Sequence, residues 1–188
     1  DEQAVGNAIR LVKEGGADAV KLERGGTSVS RARAIVDAGI PVMGHVGLTP
    51  QTATVLGGFK AQGRTAEQAR HLIDEALALQ EAGCFSIVLE AVPAAVAGAA
   101  TRALAVPTIG IGAGPDTDGQ VLVWHDMLGY YEGRAPRFVK RYADVGAAIT
   151  EALGRFAAEV RGGTFPEERH TYTMPEEELR AFESPRVR

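Results

Sequence analysis

Four side chains have the types and spacing to do chemistry together. Lys21 and Glu23 lie two apart in Ala19–Glu23, a spacing that on a strand puts both on one face. His45 sits near the end of the run Ile40–Gly47, and Glu90 closes the apolar run Ser86–Leu89 just before Ala91-Val92-Pro93. A cation beside a carboxylate suits a 2-oxo acid, the lysine for its carboxylate and the glutamate for a metal ion or its waters. Glu90, a charge at the end of an otherwise apolar strand, is the first candidate for a catalytic group. Each also has a structural role open to it. Lys21 and Glu23 could be an ion pair at a sheet end, His45 a core histidine bonded to a backbone carbonyl, and Glu90 a cap for the helix across Pro93.

These residues need elements that bring them to one place. Residues 2–14 carry apolar side chains at helical spacing and end at Gly15-Gly16, which predicts a helix followed by a strand over 17–23. Ser28 or Ser30 caps the next helix, which runs to about Ala38, and Ile40–Gly47 reads as a second strand. Residues 48–64 are rich in Gly, Thr and Gln and too long for an ordinary connection, so they read as a functional loop. Thr65 caps a helix through Ala82 whose buried side is marked by Ala69, Leu72, Ile73, Ala76, Leu77 and Leu79. Then come the strand at Ser86–Glu90, an Ala-rich helix over 94–104, a strand over 106–114 ending in glycines, and a final strand at 120–124. Residues 139–160 read as helix, and the Glu/Arg/Pro-rich stretch after Gly162 as a surface tail.

About five strands alternating with helices imply right-handed crossovers and a parallel sheet. A complete eight-fold barrel takes roughly 250 residues, so 188 residues read as the later part of a (β/α)8 TIM barrel, its first strands missing, over about 1–170. The tail occupies 171–188. An open doubly wound sheet is the alternative. In a barrel, polar groups at the C-terminal strand ends converge on one mouth, which is where Lys21, Glu23, His45 and Glu90 would meet.

Composition narrows the partners. A net charge of -4, with 45% hydrophobic and 23% charged residues, supplies no basic field for nucleic acid. No stretch is apolar enough for a membrane span. One cysteine, Cys84, excludes an internal disulfide and favours a reducing, cytoplasmic setting; it reads as a small buried hydrophobe. The run Gly110-Ile111-Gly112-Ala113-Gly114 lacks the dinucleotide spacing and reads as a tight turn in preference to a phosphate site. His71, His125 and His170 have no partners at zinc-ligand spacing.

Several segments, in order, resemble one family, the ketopantoate (3-methyl-2-oxobutanoate) hydroxymethyltransferases. They are Ala19–Glu23, Pro41–Gln51, Leu56–Arg64, Val88–Pro93, Ile109–Gly114 with Asp118–Val123, and Phe165-Pro166 with Glu168 and His170. The resemblance implies a barrel of the phosphoenolpyruvate/pyruvate superfamily and a homo-oligomer. It implies transfer of a hydroxymethyl group from 5,10-methylenetetrahydrofolate to 3-methyl-2-oxobutanoate, giving 2-dehydropantoate, with a divalent ion, usually Mg²⁺. Carried over by position, Lys21 binds the substrate carboxylate, Glu23 belongs to the metal site, Glu90 is the proton acceptor and His45 lines the pocket. Ile87, Val88, Leu89 and Val92 would give Glu90 a partly apolar surround. The family's two metal-binding aspartates and adjacent serine lie upstream of this segment. After Glu23, Arg24 and Thr27-Ser28 replace the Gly-Gly and acidic residue more usual in the family. Two other readings stay open: another metal-dependent 2-oxo acid lyase or aldolase of the superfamily, and a non-catalytic truncated remnant.

Overall fold

The computed structural model describes residues 1–23, 26–52, 60–131, 133 and 135–184. Arg24, singled out above, and Leu56–Phe59 of the matched loop lie outside them. Helix α1 (Glu2–Lys13) leads to strand β1 (Val20–Glu23), α2 (Val29–Asp37) to β2 (Val42–Gly47), and α3 (Ala66–Glu81) to β3 (Ser86–Glu90). Helix α4 (Ala94–Ala103) follows, then β4 (Thr108–Ile111) and the two-residue β5 (Gly119–Gln120). The remaining helices are α5 (Trp124–Met127), α6 (Val145–Gly162) and α7 (Glu176–Glu183).

Among the described residues the five strands are parallel and lie side by side in chain order. Their apolar residues sort by the two-residue period of a strand. Val20, Val42, Val46, Ile87 and Leu89 join one buried cluster with Ala8 of α1, Ile35 of α2, Leu72 and Leu79 of α3, and Ala97 of α4. Burying side chains the size of Ile87 and Leu89 stabilises the sheet by about 1.5–3 kcal/mol each. The helices thus cover one face of the sheet. A doubly wound sheet reverses its strand order and carries helices on both faces, whereas successive units of a barrel keep the order and put helices outside. The arrangement is that of consecutive βα units of a barrel, as expected, and the other sheet face is the barrel interior.

Local chemistry explains the boundaries. Thr65 is the N-cap of α3, its hydroxyl accepting from the Gln68 N–H at 3.2 Å. Ser28 occupies the N-cap of α2, but its hydroxyl donates to the Glu23 carbonyl at 2.9 Å instead of capping. The strands expected over 17–23 and 106–114 are confined to Val20–Glu23 and Thr108–Ile111, and two further expectations need correction. The strand at 120–124 ends at Gln120: Val121 N–H makes the last bond, to Gly110 O, and Trp124 already begins α5. The helix expected from 139 begins at Val145, because the Asp144 side chain accepts from Ala147 N–H and caps it there. Residues 139–144 are instead tied back to α5, Tyr142 N–H bonding Met127 O. Residues 171–184 are exposed and contain the short helix α7. Among the described residues no helix is long and apolar enough to cross a membrane.

Candidate active site

Strand alternation that sends Val46 and Leu89 toward the helices sends Lys21 and Glu23 of β1, His45 of β2 and Glu90 of β3 to the opposite, interior face. Glu23 is directly opposite His45 in the β1–β2 register, and Glu90 is opposite Gly47 in β2–β3. The structure brings all four predicted residues together at the C-terminal strand ends. Lys21 Nζ is 3.5 Å from Glu23 Oε1; His45 Nδ1 is 3.8 Å from the same oxygen, and His45 Nε2 is 3.2 Å from Glu90 Oε2.

The imidazole of His45 is fully buried, while the Glu23 and Glu90 side chains keep 11% and 13% exposure. Neither ring nitrogen has an aligned hydrogen-bond partner among the described residues, although Glu90 Oε2 is within range by distance. An unaligned buried polar group costs about 1–3 kcal/mol, and such a cost persists mainly at functional sites. His45 is therefore not a core histidine held by a carbonyl; it stands between two carboxylates. Glu90 does not cap α4 either, whose N-cap is Pro93 with no side-chain cap bond. The Lys21–Glu23 ion pair is real, and Lys21 remains half exposed, its ammonium free to meet an anion from solvent.

The apolar surround of Glu90 differs in part from expectation. Ile87 and Leu89 point away, into the helix-side core. Buried Val88, two residues earlier on the same face, and buried Ile111, opposite Glu90 in β4, share its face.

Backbone details that side-chain typing missed fix the two carboxylates. Gln51 N–H donates to Glu23 Oε2 at 3.2 Å, so the loop after β2 grips Glu23 from above. On the other side Leu48 N–H donates to Glu90 O, Ala91 N–H to Ile111 O, and Gln62 N–H to Ala91 O, each at 2.9 Å. Both described ends of the 48–64 loop thus bind strand ends that carry the carboxylates, which supports the functional reading of that loop. Ala91 takes a left-handed φ of 49°, a strain of about 1–2 kcal/mol for a residue with a Cβ. Nothing in its type announces this. Gly47, with φ 94°, leaves no room for a side chain: a Cβ would run into the Glu90 carbonyl and stand 2.8 Å from Val92 Cγ2. Its place at the end of an apolar run was the available signal.

The glycines after β4 serve packing and turning, as expected. Gly112 has φ 66° and a Cβ there would meet the Phe138 ring at 2.5 Å, while Gly114 abuts Ala94. Cys84 is buried, and burial pushes its thiol up to about 11, so it is no nucleophile at neutral pH. Among the described residues no group of three or more His, Cys, Asp and Glu side chains is placed to hold a metal. Glu23 fits as a single oxygen donor, facing the mouth with one oxygen held by Gln51.

Together, a parallel βα sheet with helices on one face defines part of a (β/α) barrel, with a carboxylate–imidazole–carboxylate row at the C-terminal strand ends as its candidate site. The chain belongs to the ketopantoate hydroxymethyltransferase family, whose model matches residues 1–168. It is 59% identical over 176 residues to 3-methyl-2-oxobutanoate hydroxymethyltransferase of Nitratidesulfovibrio vulgaris strain DP4, covering 94% of this chain and 57% of that protein. To the protein of the same name from Clostridium beijerinckii it is 55% identical over 179 residues, covering 95% and 65%. The chain thus spans about three-fifths of the length of these curated relatives. Among solved structures, phosphonopyruvate hydrolase aligns over 95% of this chain and 64% of its own, with 16% identity and a TM-score of 0.45.

Proposed function

We propose that this chain carries the proton-abstracting half of a 3-methyl-2-oxobutanoate hydroxymethyltransferase, which adds a one-carbon unit from 5,10-methylenetetrahydrofolate to C3 of the 2-oxo acid and yields 2-dehydropantoate. The observation that carries this reading is the row Glu23–His45–Glu90 at the barrel mouth, with His45 buried between the carboxylates. Membership of the family supports it.

In this reading the Lys21 ammonium pairs with the substrate carboxylate, which lays the 2-oxo group toward Glu23. Glu23 offers one ligand to a divalent ion, Mg²⁺, whose chemistry when bound is to draw charge from the 2-oxo carbonyl. Glu90 accepts the C3 proton, leaving an enolate whose C3 bonds to the methylene carbon as that carbon's bonds to the two folate nitrogens break; water supplies the hydroxyl group, and its other proton and the C3 proton end on those nitrogens. Val88 and Ile111 present apolar surface to the branched side chain, and His45 lines the pocket between Glu23 and Glu90. The homo-oligomer belongs to the same reading, supported by an exposed stripe on α6 of Ile149, Leu153, Phe156 and Val160. Sedimentation of the intact protein tests that part.

The reaction is tested by deuterium exchange at C3 of 3-methyl-2-oxobutanoate, followed by NMR in the intact protein with Mg²⁺ and without folate. Exchange well above the buffer rate is expected. Exchange no faster than buffer sinks the enolate step, and equal exchange of straight-chain 2-oxo acids turns the assignment toward a lyase or aldolase.

A further inference from the structure

Glu23 ends β1, and its pair with His45 is the last in the β1–β2 register. Beyond that pair the hold on Glu23 passes from the sheet to the loops, and it comes from two directions. Gln51 N–H, in the loop after β2, donates to Glu23 Oε2 at 3.2 Å, leaving Oε1 toward Lys21 Nζ and His45 Nδ1 at 3.5 and 3.8 Å. From the other side Ser28 Oγ donates to the Glu23 carbonyl at 2.9 Å, from five positions further along the chain.

The chemistry above gives Ser28 no part, yet its side chain is committed. Ser28 is buried, with 6% exposure, so water does not readily replace its bond. It stands at the N-cap of α2, where a serine ordinarily takes an extended backbone and accepts from the amides of the first turn. Here the 3-10 turn Gly26–Ser28 leaves it at φ -102° and ψ -3°, no side-chain cap bond forms, and the hydroxyl turns back to β1. The start of a helix thus forgoes its serine cap to fix the end of a strand. Glu90 shows the counterpart, its carbonyl held by Leu48 N–H at 2.9 Å. Both carboxylate-bearing residues at the mouth are pinned through their carbonyls, one by a main-chain donor and the other by a hydroxyl that a single substitution removes.

We infer that Ser28 is a positioning residue for Glu23: its hydrogen bond to the carbonyl fixes the backbone from which the carboxylate reaches Gln51 N–H, Lys21 and His45. A misplaced orienting group costs rate out of proportion to stability. That consequence rests on the role given to Glu23 in the proposed reaction, whereas the positioning itself does not.

The first test needs no substrate. It is hydrogen exchange of the Gln51 amide in the intact protein, read residue by residue in wild type, Ser28→Ala and Ser28→Thr. Ser28→Ala should speed that exchange about fivefold, equivalent to about 1 kcal/mol of lost hold, and leave the Leu48 amide at its wild-type rate. Ser28→Thr, which keeps a hydroxyl, should match wild type. In Glu23→Ala, where the Gln51 amide has already lost its acceptor, adding Ser28→Ala should change nothing more. C3 exchange at saturating 2-oxo acid should fall about tenfold in Ser28→Ala, with KM within about twofold of wild type because Lys21 is untouched. An unchanged Gln51 rate in Ser28→Ala would overturn the assignment, and so would a Leu48 rate that rises with it, since that is general loosening. Wild-type protein without C3 exchange removes the reaction and leaves the Gln51 rates to decide for or against Ser28. C3 exchange in wild type with Gln51 unmoved in Ser28→Ala removes the positioning alone.

Discussion

The two ends of this sheet treat polar groups in opposite ways. At the N-terminal end Thr108, fully buried, donates through N–H and Oγ1 to Asp118 Oδ2 at 2.8 and 3.0 Å, and its hydroxyl also meets Thr101 Oγ1 at 2.9 Å. Ser86 Oγ donates to Pro107 O at 2.9 Å. Every one of these groups is satisfied. At the C-terminal end, a buried imidazole stands unaligned between two carboxylates, an alanine is held left-handed, and an ammonium is half exposed. Satisfied polar networks rigidify a fold, whereas unsatisfied ones persist where a ligand is meant to complete them. The difference supports placing the proposed chemistry at the C-terminal end, the division expected of a barrel.

Substitutions at each end sharpen or break this contrast. The largest effect is expected of Gly47→Ala, which forces a Cβ into the left-handed region and against the Glu90 carbonyl. It should lower stability by about 2 kcal/mol or more in denaturant titration and slow C3 exchange as well, since Glu90 must shift. Next, Lys21→Met removes the cation assigned to the substrate carboxylate and should raise KM for the 2-oxo acid about ten- to a hundredfold, with kcat less affected and Lys21→Arg partly restoring binding. At the opposite end, Thr108→Val should cost about 1–2 kcal/mol of stability and leave C3 exchange at the wild-type rate; a selective loss of exchange would erase the distinction between the ends.

The smallest effect is acid sensitivity. The Thr108 N–H and hydroxyl hold the Asp118 carboxyl below its usual range. A depressed carboxyl contributes stability that is complete above the ordinary aspartate pKa of about 3.9 and is lost as pH falls through the lower native value. Melting curves of wild type and Asp118→Asn should therefore differ most above that range and converge below it.

The parts of this architecture that sequence reveals are those fixed by local rules. Apolar runs closed by charge or glycine mark β2 and β3 to within two residues, and Thr65 announces α3 by its own capping bond. The misread parts are settled by distant contacts. Val121-Leu122-Val123 is as apolar and β-branched as any strand, yet pairing with β4 stops at Gly110, and the chain turns into α5. Asp144, three residues before Ala147, carried the true start signal of α6. Lys21, Glu23, His45 and Glu90 were legible because strand period and position dictate their face. Gln51 N–H on Glu23 and the left-handed Ala91 were not, since a backbone donor and an alanine's φ leave no mark in residue type.

The central claim of the proposed function is that Glu90, and neither Glu23 nor His45, takes the C3 proton. The direct measurement is the rate of C3 deuterium exchange in Glu90→Gln against wild type, with 2-oxo acid binding followed in parallel. A fall of about 10²- to 10⁴-fold with binding retained is the predicted result. Exchange at the wild-type rate in Glu90→Gln would contradict it.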